Sequence, residues 1–400
     1  MPTDLRCRAC GTEYDAGPNE PWRCDCGHAL DFATEPRPDG SPPPFARLDT
    51  RRGLWTFFEF LPVSRQVTLG EGFTPLVDAP DWDAQFKLEY VFPTGSFKDR
   101  GATTTLSRAV ELGVDTVIED SSGNAGAAIA TYAARAGLDA EIYVPADIKQ
   151  SKLVAIQRAG ARPVRVEGDR EDVTAACLDA VEGEAGTASV TGSGQSPRQS
   201  GEGWYASHAW NPAFYAGTMT FAFEVAAQRQ WSIPDAVVLP LGHGTLFLGA
   251  YRGFRALREA GITGEMPRLL GAQGTGYAPF AAALQENRPK EEAPGAHLTA
   301  ALDREEEPAE ANELVDGIHI RDPAREDQVF DAIEATDGDV VALDEDAVEG
   351  TLDRLHRAGF YVEPTCAVAP AALQEFRREG VVTEDDDVVV PLTGSGMKTL

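Results

Sequence analysis

The chain has 400 residues, with 64 acidic against 35 basic side chains and a formal net charge of −29. So negative a surface provides no general basic field, and nucleic acid and anionic membrane are not expected as partners. Carboxylates spread along the chain beside only six lysines match adaptation to high salt, where screening removes most self-repulsion, and a halophilic source is expected. No apolar run approaches the length of a membrane span, and the first residues lack a charged-then-apolar leader pattern. A cytoplasmic chain is therefore expected.

Residues 1–35 form the first segment and carry Cys7, Cys10, Cys24 and Cys26. In a reducing compartment this grouping reads as a metal clip rather than two disulfides. Cys7-x-x-Cys10 followed by Gly11 has the spacing of a zinc knuckle. Cys24 and Cys26 stand one residue closer than a second knuckle requires, so His28 is an alternative ligand, and free or loosely paired cysteines remain the competing reading. The expected ion is a structural zinc, because four ligands leave no open position for chemistry. Trp22, Tyr14 and Leu30 make a satellite core too small to fold unaided.

A linker at 36–50, Pro-rich over 36–44, leads into an aromatic stretch at 51–61 with Trp55, Phe57, Phe58 and Phe60. A strand is predicted at 85–90. After it comes PTGSFKDRG (93–101), followed by a helix to about residue 112. Lys98 lies here beside Gly95, Phe97 and Gly101. An amine among small and apolar neighbours is disfavoured as the ammonium and is poised to form an imine with an aldehyde. A helix-start lysine anchored by Asp99 is the alternative.

Short apolar or β-branched runs then alternate with helix-length segments: 116–118, 141–144, 162–166, 236–241, 268–272, 340–343 and 388–392. Such alternation predicts parallel sheets covered on both faces. Three of the strand ends carry candidate chemistry. SSGNAGAA (121–128) opens an Ala-rich helix and offers free amides to a carboxylate at Ser121, Ser122 and Gly123. Asn124 there also suits an N-cap. In VVLPLGHGTLFLGAYRGF (237–254) the amides of Gly242, His243, Gly244 and Thr245 suit a phosphate. VVVPLTGSG (388–396) ends in the hydroxyls of Thr393 and Ser395, where ordinary turn chemistry is the competing role. A Gly/Ser-rich stretch at 192–203 marks the return to a larger domain, and the charged stretch 285–315 reads as a solvated connection. The expected division is 51–103 with 204–400 as a large domain and 104–203 as a small α/β domain, the lysine between them.

An amine for an imine, a carboxylate turn, a phosphate turn and a ring-facing hydroxyl are the fittings of a pyridoxal phosphate site. With GEGFTPL (70–76), VEPTCA (362–367) and PLTGSGMK (391–398), these motifs resemble the fold type II, tryptophan synthase beta-like family of pyridoxal phosphate enzymes, and within it the threonine synthases. The resemblance implies that Lys98 forms the imine with the cofactor and then moves protons, with Phe97 near the ring. It implies that Asn124 hydrogen-bonds the phenolic oxygen, that Ser121, Ser122, Gly123 and Asn124 bind the substrate, and that Gly242, His243, Gly244 and Thr245 hold the cofactor phosphate. Thr393 would face the pyridine nitrogen. A hydroxyl there leaves the ring largely neutral, which suits elimination and replacement better than transamination. A homodimer acting on a small amino-acid substrate is likewise implied.

The substrate end departs from the family pattern. Where the threonine synthases place hydroxyl and basic side chains against the substrate phosphate, this chain has Ala125, Ala209, Asn211, Pro212, Ala213 and Phe214. Losing charge-assisted bonds to a dianion is worth several kcal/mol, enough to change the preferred substrate. Arg100 and His208 are candidate replacements, with a helix-surface salt bridge as the other role for Arg100. Phe73 makes the GEGFTPL turn more apolar. Cys366 reads as a core-filling residue near the cofactor. Three functions stay open: threonine synthase, a related β-elimination or β-replacement enzyme, and a non-catalytic ligand sensor whose ribbon contacts a partner.

Overall fold

The computed structural model describes residues 1–38, 42–183, 203–287 and 310–398. Parts of the expected linker, of the 192–203 return and of the 285–315 connection lie outside the described residues.

The chain opens with β1 (Leu5–Cys7), β2 (Glu13–Tyr14) and β3 (Leu30–Phe32), antiparallel in the order β2-β1-β3. The aromatic stretch is a run of 3-10 turns, Thr50–Phe60, broken at Gly53 (φ 60). A Cβ on Gly53 would fall 2.0 Å from the Glu71 carbonyl, so only glycine lets these two backbones meet. Next come β4 (Leu76–Ala79) and β5 (Ala84–Lys87), an antiparallel hairpin turning through Asp83 at φ 46. The strand expected at 85–90 thus ends early, and residues 89–91 coil into a 3-10 turn.

α1 (Lys98–Leu112) stops at Gly113 in the left-handed region, whose N–H takes the orphan carbonyls of the last turn. β6 (Thr116–Glu119) is buried throughout, and α2 (Asn124–Ala136) ends at Gly137 as α1 does at Gly113. β7 (Asp139–Pro145), α3 (Gln150–Arg158), β8 (Arg162–Val166) and α4 (Arg170–Glu182) continue the alternation. α4 starts from a capping box in which Asp169 and Asp172 satisfy each other's backbone N–H. β9 (Trp204–Tyr205) precedes α5 (Pro212–Thr218), where Asn211 caps and Pro212 takes a position that needs no donor, and then α6 (Thr220–Gln228). The remainder runs β10 (Ala236–Pro240), α7 (Thr245–Glu259), β11 (Arg268–Gly274), α8 (Pro279–Asn287), α9 (Glu326–Ala335), β12 (Asp339–Leu343), α10 (Glu345–Arg357), α11 (Pro364–Arg378) and β13 (Val388–Pro391).

Packing divides the chain into two compact units, Met1–Phe73 with Phe92–Glu224, and Thr74–Val91 with Val225–Leu400. The first holds the N-terminal ribbon and a four-stranded sheet, β8-β7-β6-β9, parallel throughout. Its core joins Ala102, Leu106 and Ala109 of α1, Ile129 and Tyr132 of α2, Ile142 of β7 and Phe214 of α5. The second holds a six-stranded sheet, β12-β11-β10-β13-β5-β4, in which only the edge pair β4–β5 is antiparallel. Its core sets α11 (Cys366, Val368, Leu373, Phe376) against Val238, Leu270 and Val390. Among the described residues no helix is long and apolar enough to cross a membrane.

Candidate active site

In the first unit, Lys98 is the first residue of α1 and is partly buried. Its Nζ lies 4.9 Å from the Phe97 ring centroid and 5.8 Å from that of Phe214. Phe214 was not singled out as a cofactor neighbour by the sequence, and it closes on α1 because Gly101 has no side chain: a Cβ there would fall 2.0 Å from the Phe214 ring. Asp99 turns to Thr94 and Tyr132, accepting from the Thr94 N–H (2.9 Å), the Thr94 hydroxyl and the Tyr132 hydroxyl (3.2 Å). The same Tyr132 hydroxyl lies 3.1 Å from Glu71, so one phenolic proton serves two buried carboxylates. Burial, with Asp99 and Glu71 adding to it, pushes the Tyr132 phenol far up. Lys87 makes a contrast with Lys98: fully enclosed in the second unit, its amine donates to the Thr74 carbonyl and to Gln228 Oε1 (2.9 Å).

Arg100 corrects an expectation. It is fully buried rather than on a helix surface, and its guanidinium meets Glu224 in a two-pronged pair of 2.7 and 2.8 Å, with Thr220 Oγ1 at 3.0 Å. Its charge is thereby committed within the fold. Asn124 also differs from its cap reading, because it is the first helical residue of α2 and Gly123 occupies the N-cap with no side-chain bond to the helix. Ser121 folds over this turn, its Oγ accepting from the Gly123 N–H at 3.2 Å. Gly126 holds the turn against the helix, since a Cβ there would fall 1.8 Å from the Ser121 carbonyl.

Ahead of that turn stand two carboxylates not singled out by the sequence, Glu119 as the last residue of β6 and Asp120 just after it. Glu119 is fully buried, with His208 Nδ1 at 2.8 Å and the His208 N–H at 3.2 Å. Burial, then the neighbouring Asp120, holds the Glu119 carboxyl well above its usual range, while Lys98 pulls it down. Asp120 accepts from the Tyr205 hydroxyl (3.0 Å) and the Thr174 hydroxyl (2.8 Å). Two acids after an apolar run and before a glycine turn were the available signal. The segment that departs from the family pattern is spent on structure: Asn211 accepts from the Ala213 N–H (3.0 Å) and donates to the Tyr205 carbonyl (3.2 Å). Phe73, at φ 48, stacks on Phe57 at 5.6 Å.

In the second unit, the turn after β10 leads into α7, whose N-cap is Gly244 in the left-handed region (φ 79), without a side-chain cap. A Cβ on Gly244 would fall 2.6 Å from Val329, and one on Gly242 would press on Ile318 and Ile320 at 3.2 Å. With Thr245 as the first helical residue, the first-turn amides of a 15-residue helix end in this cradle, a place suited to a phosphate. Thr393 is buried beside Cys366, Oγ1 to Sγ 3.3 Å. Cys366 also accepts from the Gly394 N–H at 2.8 Å. Burial, with Glu363 adding to it, pushes its thiol up to about 12, which makes it an inert filler of the core.

The four N-terminal cysteines converge. Cys7 and Cys26 approach to 3.5 Å, Cys10 and Cys24 to 3.4 Å, and all four sulfurs lie within 4.8 Å of one another. His28 Nδ1 touches Cys26 Sγ at 3.5 Å and stands outside this set.

Parallel sheets, a lysine at a helix start and glycine turns at strand ends define a fold type II pyridoxal phosphate enzyme. Residues 67–394 match the family described as pyridoxal-phosphate dependent enzyme, and the chain belongs to that family. It is 30% identical to a threonine synthase of Methanocaldococcus jannaschii, over 98% of this chain and 92% of that protein. It is also 30% identical to a threonine synthase of Methanosarcina acetivorans, over 86% and 80%. Among solved structures, maize serine racemase shares the fold at TM-score 0.63 and 19% identity, covering 87% of this chain and 93% of that one. The processed form of threonine deaminase isoform 2 from Solanum lycopersicum does so at 0.62 and 18%, covering 93% of each chain.

Proposed function

We infer that the protein is a threonine synthase, converting O-phosphohomoserine and water to threonine and phosphate. The observation that carries this reading is Lys98: its amine stands by two aromatic rings at the start of α1, in a chain that aligns over 98% of its length with a threonine synthase. The residues present suit the cofactor, with an amine to capture it, a side-chain-free cradle at Gly242 and Gly244, and an uncharged hydroxyl at Thr393.

Pyridoxal phosphate supplies an aldehyde for amines and a conjugated ring that takes up electron density from the substrate's α-carbon. Gly242, His243, Gly244 and Thr245 would hold its phosphate, Phe97 and Asn124 would serve its ring and phenolic oxygen, and Thr393 would offer its nitrogen an uncharged hydroxyl. The amides of Ser121, Ser122 and Gly123, with Asn124, take the substrate carboxylate. Lys98 would remove a proton from the substrate α-carbon and then one from Cβ as phosphate leaves from Cγ. Cγ would next take up a proton, the hydroxyl of water would add at Cβ with its proton passing to the released phosphate, and the α-carbon would regain its proton. With Arg100 committed to Glu224, His208 remains as the candidate for the substrate phosphate, its ring oriented by Glu119. A cytoplasmic homodimer belongs to the same reading, and light scattering of the purified chain tests the dimer.

A second reading is favoured by one observation. The segment 209–214 brings no cation, and its amide side chain, Asn211, is used to cap α5. Such a site suits threonine, serine or an activated serine better than a phosphorylated substrate. Incubation with pyridoxal phosphate, reduction with borohydride and peptide mapping should find the pyridoxyl group on Lys98. Turnover should release phosphate from O-phosphohomoserine with threonine as product. Keto acid from threonine or serine instead would move the assignment to the second reading. A colourless protein with no adduct would end both, and ligand binding that survives Lys98→Ala with no turnover in the wild type would leave a sensor.

A further inference from the structure

We propose that Cys7, Cys10, Cys24 and Cys26 bind one zinc ion, and that this ion fastens the N-terminal ribbon onto α1, the helix that begins at Lys98. The proposal stands apart from the reading of the catalytic site. Four thiolates around zinc at about 2.3 Å would place the sulfurs roughly 3.8 Å apart along the edges of a tetrahedron. The approaches of 3.5 and 3.4 Å, with every pair inside 4.8 Å, bracket that spacing. They are far longer than a sulfur–sulfur bond of about 2.05 Å, and all four cysteines are free.

The two halves of the site are built alike. Cys7 donates its N–H to the Thr12 carbonyl (2.9 Å) and receives on its own carbonyl the Gly11 N–H (3.0 Å). Cys24 does the same with the His28 carbonyl (2.9 Å) and the Gly27 N–H (2.8 Å). Gly11 (φ 77) and Gly27 (φ 88) turn the chain back so that each pair of sulfurs faces the other. The short Cys24-x-Cys26 spacing is absorbed by this turn, so His28 is not needed as a ligand. Strands of three, two and three residues cannot by themselves hold four thiols together. Soft, all-sulfur ligation with no open position selects a structural zinc over the hard cations.

The loop between the two halves carries Glu20, and Glu20 grips α1. Its carboxylate bonds Arg108 Nε at 2.8 Å and Nη2 alongside, with the two side chains 3% and 0% exposed. Arg108 also donates to the Thr3 carbonyl (2.9 Å) and lies over the Phe32 ring at 4.9 Å. Leu5, Cys7, Cys24, Leu30 and Phe32 pack with Ala213 and Ala216, the neighbours of Phe214 on α5. Loss of the ion would release the loop and leave a buried guanidinium without its carboxylate.

The test uses the full-length chain loaded with pyridoxal phosphate. Elemental analysis should find one zinc per chain, a thiol-blocking mercurial should release it, and cobalt in its place should give the visible bands of a tetrahedral thiolate site. Cys10→Ser and Cys26→Ser, at exposed positions, should lose the ion; His28→Ala should keep it. Removing zinc should lower the thermal midpoint, and Glu20→Gln should lower it while zinc stays bound. Protein that carries no zinc, carries iron, or has these sulfurs in disulfides would overturn the assignment, as would zinc retained in Cys10→Ser. A thermal midpoint indifferent to zinc would overturn the fastening. If the serine variants fail to fold, mercurial release from the wild type still decides the ligation.

Discussion

Arg100 and Glu224 are joined by two parallel hydrogen bonds of 2.7 and 2.8 Å, and neither side chain is exposed. The pair ties the start of α1 to α6, two residues along from the candidate imine lysine. Glu224→Gln leaves a buried guanidinium without its counter-charge and should cost about 3–5 kcal/mol of stability. Replacing both residues with methionine should restore much of that loss. Chemical denaturation of the two singles and the double measures the cycle.

Gly126→Ala should act on the carboxylate turn, because its methyl would meet the Ser121 carbonyl at 1.8 Å. The turn must shift, and the amides of residues 121–123 with it. A displacement of an ångström at a binding group corresponds to roughly 100-fold in rate. Steady-state kinetics should show kcat/KM down by that order while cofactor absorbance is retained.

Gly244→Ala should act instead on the cofactor cradle, where φ is 79 and Val329 stands 2.6 Å from the new methyl. Left-handed strain of about 1–2 kcal/mol alone corresponds to roughly a 10-fold loss. Titration with pyridoxal phosphate, followed by its absorbance, should show weakened binding of at least that size.

The Glu119 carboxyl is held up by burial and by Asp120. The folded chain therefore keeps that proton more tightly than the unfolded chain, and the sign of the linkage follows. Its contribution to stability is complete below the ordinary carboxylate range and is lost as pH rises through the raised value. Glu119→Gln, which keeps an amide donor towards His208, should flatten this part of the stability–pH curve. A wild-type curve parallel to that of Glu119→Gln from pH 4 to 9 would contradict the assignment.

With a net charge of −29, stability should climb with salt. Self-repulsion between exposed charges is largely screened once the Debye length falls from about 30 Å at 0.01 M to about 3 Å at 1 M. Thermal melts across that range in potassium chloride should show a rising midpoint. A flat response would remove the expectation of a halophilic source.

Local pattern made the strands, the glycine turns and the Lys98 motif legible, because each is written within ten residues. What escaped was set by partners distant in sequence. Arg100 looks like an exposed helix charge until Glu224 arrives 124 residues later, and His208 finds Glu119 across 89. Phe214 gave no sign of its place near Lys98, since the space it fills is created by Gly101 on another helix. The edge strand β4, Leu76–Ala79, is only four residues long and buries only Ala79, too short a run to stand out. Asn124 read as a cap from composition, but the preceding glycine supplies the backbone bend.

In the second unit, β5 pairs with β13 through Val389 opposite Gln85. During synthesis the β4–β5 hairpin therefore waits for its neighbour until about 300 further residues have been made, roughly 15–60 s at 5–20 residues per second. A ribosome that stalls late, or a stop codon removing β13, would leave two halves of the sheet each with a bare inner edge. Aggregation of such fragments, rather than loss of chemistry alone, is the outcome this topology sets for even a short C-terminal deletion.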